Sequence, residues 1–202
     1  MPLYQLFPKP VDLSQLERAL TKEELQTIND YKKKTYKNTG NTTSNNTYIL
    51  EDKTLNNLKK DLNKKIIDYF NKIVCTDNSI VPYITQSWLN YTTNKQFHHT
   101  HTHANSYVSG VFYINADKKV DRITFYNVDD SLFKLKISKF NIFNSASWWY
   151  PVESGDVILF PSSLKHGVDD KKGTNIRVSL SFNVFLRGTI GYKFDLTELT
   201  IK

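Results

Sequence analysis

Two periodicities divide the chain near residue 80. Before it, apolar residues recur at helical steps. Thr21 and Glu24 make a capping-box pattern ahead of Leu25, Ile28 and Tyr31, and Leu55, Leu58, Leu62, Ile66, Tyr69 and Ile73 trace one stripe. Between these two segments the Asn/Thr-rich run "NTGNTTSNNT" predicts a loop. From residue 83 onward the pattern changes to short stretches rich in aromatic and β-branched residues: "YITQSWLNY", "SYVSGVFYIN", "DRITFYNV", "LFKLKIS", "SWWYPV", "DVILF", "NIRVSLSFNVFL" and "TIGYKF". Turn formers such as Ser154-Gly155-Asp156 and Lys172-Gly173 part them. Strands at this spacing, with no helix between them, predict a mainly β protein, a sandwich or jelly roll, with the N-terminal helices packed on one outer face. The chain reads as a single domain over 1–202, a helical support region at 1–80 and a β core at 83–194, without internal repeats.

Composition agrees with a folded core. Of 202 residues, 39% are hydrophobic, and twelve Phe, twelve Tyr and three Trp supply aromatic bulk. The lone cysteine, Cys75, excludes an internal disulfide and fits a reducing compartment. No apolar run approaches the ~20 residues that span a bilayer, and "MPLYQLFPKPVDL" lacks the basic and apolar regions of a signal peptide. A soluble, cytoplasmic protein is expected. The net charge of +7 gathers at Lys32-Lys33-Lys34, Lys59-Lys60 and Lys64-Lys65. With no nucleic-acid-binding motif beside them, these read as solvated helix faces.

The chemistry lies in the histidines. Four of the five fall within residues 98–103, "HHTHTH", and the fifth is His166. If this stretch is extended, alternation places His99, His101 and His103 on one face and His98 elsewhere. Two imidazoles two residues apart can share a metal ion, and His166, just beyond the strand in "SGDVILFPSSLKHGV", is the candidate third ligand. A fortuitous or adventitious zinc tract remains open at this point. So does a zinc hydrolase, although no HExxH and no neighbouring carboxylate supplies its base. A second signal follows in "NIRVSLSFNVF", where Arg177 and Ser179 share a face of an otherwise apolar or hydroxylated strand. A buried arginine there is costly unless it meets an anion, and its planar fork suits a carboxylate. The alternative is a surface arginine on the solvent side.

Taken together, "SWLN", "HTHANSYVSGVFYIN", "SGDVILFPSSLKHGV" and "IRVSLSFN", in that order across residues 87–183, resemble the Fe(II)/2-oxoglutarate-dependent oxygenases. The likeness is to the prolyl-4-hydroxylase-like branch, closest to its small bacterial and phage members. The resemblance implies a double-stranded β-helix, the cupin-like jelly roll, packed against two or three helices. It implies Fe(II) on His101, His103 and His166, and the distal carboxylate of 2-oxoglutarate on Arg177, shared by Ser179 and Tyr113. Asn90 would face the cosubstrate. It also implies use of O2 to hydroxylate a protein or peptide, a peptidyl proline among the options, with release of succinate and CO2. One residue departs from the pattern. Position 103 is His where most of the superfamily has Asp, which leaves the ion's double charge uncancelled and suits Zn²⁺ or Ni²⁺ as well. His99 in place of His103 is the competing register, and a non-catalytic, metal-binding cupin-like module is the competing function. Trp148 and Trp149 are placed either at the pocket mouth or between sheet and helices, and residues 127–147 are the candidate lid.

Overall fold

The computed structural model describes residues 4–77, 79–128 and 135–202. Strand β1 (Asp12–Gln15), helix α1 (Lys22–Tyr31), strands β2 (Thr35–Lys37) and β3 (Thr42–Ser44) and helix α2 (Asn56–Tyr69) come first. There follow β4 (Val81–Thr92), β5 (His98–His101), β6 (Val108–Asn115), β7 (Arg122–Tyr126), β8 (Ser147–Pro151), β9 (Asp156–Pro161), β10 (His166–Val168), β11 (Arg177–Ile190) and β12 (Leu199–Ile201). The larger sheet runs β1-β9-β6-β11-β4-β3-β2, with β12 on the far end of β11, and the smaller runs β5-β10-β7-β8. Every ladder between these strands is antiparallel. This is the jelly-roll fold, mostly β with few helices. No helix among the described residues is long and apolar enough to cross a membrane.

Alternation decides what each face of the larger sheet meets. In β9, Val157 and Leu159 join the core beneath the helices, while Ile158 and Phe160 join a second core with Tyr113, Ile123, Phe125 and Leu164 between the sheets. In β11, Leu180, Phe182, Val184 and Leu186 turn to the helical side. Arg177, Ser179, Ser181 and Asn183 therefore turn inward, which puts a row of polar side chains on the middle strand of a buried sheet. Helix α2 seals the outer core with Leu58, Leu62 and Ile66, and Leu55 sits just ahead of it, all of them buried. Such side chains contribute about 1.5–3 kcal/mol each on burial. Close approach fixes one glycine: a Cβ at Gly110 would lie 2.1 Å from the Phe182 ring.

Helix α1 begins as its pattern predicts. Thr21 accepts from the Glu24 N–H at 3.2 Å, and the Glu24 carboxylate accepts the Thr21 N–H at 2.8 Å. The Arg18 guanidinium also donates twice to Glu24, at 2.7 Å each, which accounts for a buried carboxylate.

Several expectations change. The Asn/Thr-rich run is not all loop, because Thr42–Ser44 pairs with β4 through Thr42↔Tyr91 and Thr43↔Asn90. Region 1–80 thus gives the larger sheet three strands as well as helices. "TIGYKF" is no separate strand: Thr189 and Ile190 finish β11, and Lys193–Asp195 forms a 3₁₀ turn. Of "LFKLKIS", residues 132–134 lie outside the described residues and 135–138 form no strand. The expected lid falls partly on undescribed residues, 129–134. Leu25 and Ile73, assigned to apolar stripes, are exposed at 42% and 40% because each sits at the margin of its helical face.

Candidate metal and cosubstrate site

His101 and His166 are register partners across β5 and β10. His103 lies past the end of β5, where its backbone N–H donates to the Ser162 carbonyl at 3.0 Å and ties it to the segment after β9. The ligand atoms of these three residues all lie within 4.8 Å of one another, an arrangement that can hold a metal ion.

Their second nitrogens settle the tautomers. His101 Nδ1 faces the His99 carbonyl at 2.7 Å, His166 Nδ1 the Leu164 carbonyl at 2.9 Å, and His103 Nδ1 the Asn183 Oδ1 at 2.5 Å. A carbonyl oxygen only accepts, so each Nδ1 carries the hydrogen and each Nε2 presents a lone pair. The Nε2 atoms of His101 and His103 stand 2.9 Å apart. Two acceptors at that distance repel unless a cation lies between them, and cis nitrogens on a metal with bonds of about 2.1 Å are about 3 Å apart. The donor set therefore fits a divalent metal. Burial holds all three imidazoles below the usual histidine range, His166 down to about 3, so they are neutral ligands at pH 7.

Strand alternation fails at the histidine tract, with consequences for two neighbours. β5 ends at His101 and its pairing with β10 is irregular, so the two-residue repeat does not run through to His103. His98, expected to point away, is half-buried, lines the same cavity and stacks on His101 with ring centroids 4.7 Å apart. His99 is exposed and stands outside the converging trio.

Arg177, Ser179, Tyr113 and Asn90 line this cavity together with the histidines. Ser179 on β11 is flanked in register by Asn90 on β4 and Tyr113 on β6. Burial pushes the Tyr113 phenol well above its usual range despite the opposing pull of Arg177, so its hydroxyl keeps its hydrogen. Arg177 is 3% exposed, and its hydrogen-bond partner among the described residues is Asp121, at 3.5 Å. Most of its five donors are thus available to an anion in the cavity.

Some functional positions had no motif to announce them. Asn183 orients His103. Asn41 and Thr43 contact Asn90 Oδ1 at 3.4 and 3.1 Å, and Asn90 donates to Ser181 at 3.1 Å. Asn41 Oδ1 is buried against the cavity with no partner among the described residues, an acceptor left open for a ligand donor. The alternation of β11 pointed to Asn183, two residues beyond Ser181, but nothing in a polar Asn/Thr run marked Asn41. Neither Trp148 nor Trp149 lines the cavity. They lie on the edge strand β8, where Arg122 covers the Trp149 ring at 5.2 Å.

Fold and site together describe a jelly-roll protein with a histidine trio able to hold a metal ion and a buried arginine on the same cavity. Comparison with known families gives the class its name: residues 86–183, nearly half of the chain, match the family described as "Putative 2OG-Fe(II) oxygenase". Over that segment the chain is similar to the Fe(II)/2-oxoglutarate-dependent oxygenases, a family that uses Fe(II), 2-oxoglutarate and O2. Comparison with curated protein sequences returns no match. Among solved structures, a 2OG-Fe(II) oxygenase family oxidoreductase from Burkholderia pseudomallei aligns over 86% of this chain and 84% of its own, at 14% identity and a TM-score of 0.61. HygX from Streptomyces hygroscopicus, solved with nickel, 2-oxoglutarate and hygromycin B, aligns over 87% and 82%, at 12% identity and a TM-score of 0.57. A prolyl hydroxylase from Trichoplax adhaerens, in complex with a hypoxia inducible factor peptide fragment, aligns over 87% and 83%, at 12% identity and a TM-score of 0.57. At these identities the shared property is the fold.

Proposed function

We propose that this oxygenase is a peptide hydroxylase whose Fe(II) is held by His101, His103 and His166, and whose 2-oxoglutarate is held by Arg177. The observation that carries the reading is the pairing of three Nε2 lone pairs with a buried, under-partnered guanidinium in one cavity. Arg177 receives the distal carboxylate bidentately, Ser179 and Tyr113 add hydroxyl donors, and Asn90 orients the cosubstrate from β4. When bound, the metal supplies the oxygen chemistry. The chain's own part is to fix three imidazoles by their Nδ1 hydrogen bonds, to orient the cosubstrate, and to exclude water with the Phe160 ring, packed edge-on against His166 at 4.6 Å. The fold acts as one domain.

The substrate reading rests on the groove outside the histidines. It is lined by Tyr36, Asn38, Gln86, Trp88, Thr102 and Asn183 beside the histidine tract, with no carboxylate, lysine or arginine among its lining residues. It lies between two terminal strands, β2 of the larger sheet and β5 of the smaller, each paired on one edge only. The two are pinned together at one end, where the Phe97 N–H donates to the Gly40 carbonyl at 3.0 Å. Gly40 sits at φ +88°, and a Cβ there would meet the Phe97 oxygen at 2.7 Å. Unpaired strand edges and amide side chains suit an extended peptide, and the lack of charge favours an uncharged segment. The peptide-bound Trichoplax adhaerens relative supports the same class.

The test is an anaerobic titration of metal-free protein with Fe(II) and then 2-oxoglutarate, followed by visible absorption. A charge-transfer band that needs both and disappears in Arg177→Ala supports the assignment. Tight Zn²⁺ binding with no such band overturns it. For the substrate, uncharged proline-containing peptides should stimulate succinate formation and gain one oxygen in mass. Equal turnover of peptides with Asp or Lys beside the proline would overturn the preference for an uncharged segment.

A further inference from the structure

Behind Arg177 lies a fully buried ionic cluster that the oxygenase reading does not use. The side chains of Asp121 and Lys171 are 0% exposed and that of Arg177 is 4% exposed. Lys171 Nζ lies 3.2 Å from Asp121 Oδ1, and Arg177 Nη1 approaches the same oxygen at 3.5 Å. The other carboxylate oxygen accepts the Asp117 N–H at 3.0 Å and the Asn175 amide at 3.2 Å. Lys171 is itself saturated, donating also to the Lys172 carbonyl and to Asn175 Oδ1 at 2.9 Å each. Two of the charged groups on the adjoining surface are committed elsewhere, Arg122 to Asp169 at 2.7 Å and Lys118 to Glu153 at 3.2 Å, while Lys119, Asp170 and Lys172 also line that surface.

Two cations and one anion share this interior, a residual positive charge that burial makes costly until a second anion arrives. The distances show how that charge is divided. Lys171 is the nearer and fully engaged partner of Asp121, whereas Arg177 touches the carboxylate with one nitrogen at the limit of a hydrogen bond. We infer that Lys171 is a positioning residue for cosubstrate binding: by neutralising Asp121 it keeps the guanidinium of Arg177 uncommitted and facing the cavity. Without Lys171, the carboxylate draws Arg177 into a full ion pair, and an incoming acid has to break that pair to bind. The inference rests on the reading that Arg177 receives 2-oxoglutarate.

The experiment is a double-variant cycle read as the dissociation constant of 2-oxoglutarate, measured anaerobically by calorimetry on Fe(II)-loaded protein. Lys171→Met should weaken 2-oxoglutarate binding by about tenfold or more while leaving Fe(II) affinity unchanged. Adding Asp121→Asn should restore binding to within about threefold of the unsubstituted protein, because no carboxylate is then left to capture Arg177. A residue with a merely structural role predicts that the double variant is worse, not better. Unchanged binding in Lys171→Met, or no recovery in the double variant, overturns the inference. If Lys171→Met does not fold, the charge-matched double variant decides alone: near-native affinity supports the inference and loss overturns it. Arg177→Ala separates the two levels, since full 2-oxoglutarate binding there overturns the assignment of Arg177 itself.

Discussion

Asn183 and His103, 80 residues apart in sequence, are joined by a hydrogen bond from the imidazole Nδ1 to the amide oxygen. The bond aims His103 Nε2 at His101 without a strand to hold it, because β5 has already ended. Asn183→Ala should therefore lower metal affinity by about 10- to 100-fold with little change in melting temperature. Competition against a chromogenic chelator measures this. Native affinity would mean that the Ser162 carbonyl alone positions the ring.

Protonation should work against the metal-free fold as pH falls. His101, His103 and His166 have folded-state values below the usual 6.5, and burial is the main cause in each. Their unfolded forms bind protons first, so stability is intact above about 6.5 and is lost as pH drops toward the folded values, about 3 for His166. The melting temperature of metal-free protein should decline steadily between about pH 6.5 and 4, and less steeply in His166→Gln. A flat profile across that range would contradict the burial of these rings.

The stacked neighbour of the site calls for a different outcome. His98 lines the cavity but is not one of the three converging ligands. His98→Ala should leave metal affinity within about fivefold, because none of the three Nδ1 hydrogen bonds depends on it. A loss as large as that of His166→Ala would make His98 a ligand.

Far from the chemistry, Gly110→Ala should be strongly destabilising, since the new methyl would meet the Phe182 ring at 2.1 Å. A loss of about 1–3 kcal/mol is the usual scale for overpacking. Urea unfolding checks it, and pairing with Phe182→Leu should recover part of the loss.

How much of this was legible depended on whether a pattern ran long enough to average out local exceptions. The 14-residue β11 is long enough to keep Arg177, Ser179 and Ser181 on one cavity wall despite register shifts against both neighbours, so the shared face of Arg177 and Ser179 followed from spacing. The four residues of β5 are too few, and an irregular ladder turned His98 inward and His99 outward. Strands β2 and β3 are three residues each, drawn from Lys, Tyr, Thr and Ser, and exist because β4 offers β3 a partner and β3 in turn pairs with β2. Asp121 opens the expected strand "DRITFYNV" and Lys171 precedes the Lys172-Gly173 turn, and neither position carries a local mark of burial. Their burial comes from each other and from Arg177, a tertiary fact with no local signature.

Strand β11 is the middle strand of the larger sheet, between β6 and β4, yet it is nearly the last to be made. A chain still emerging from the ribosome carries the whole histidine tract while β4 and β6 have no neighbour to separate them. Nothing can close the barrel until Arg177–Ile190 slides into that slot. Arg177 and the Asn183 brace arrive in the same event, so the cavity's guanidinium and the bond that orients His103 are both in place only when the fold is complete.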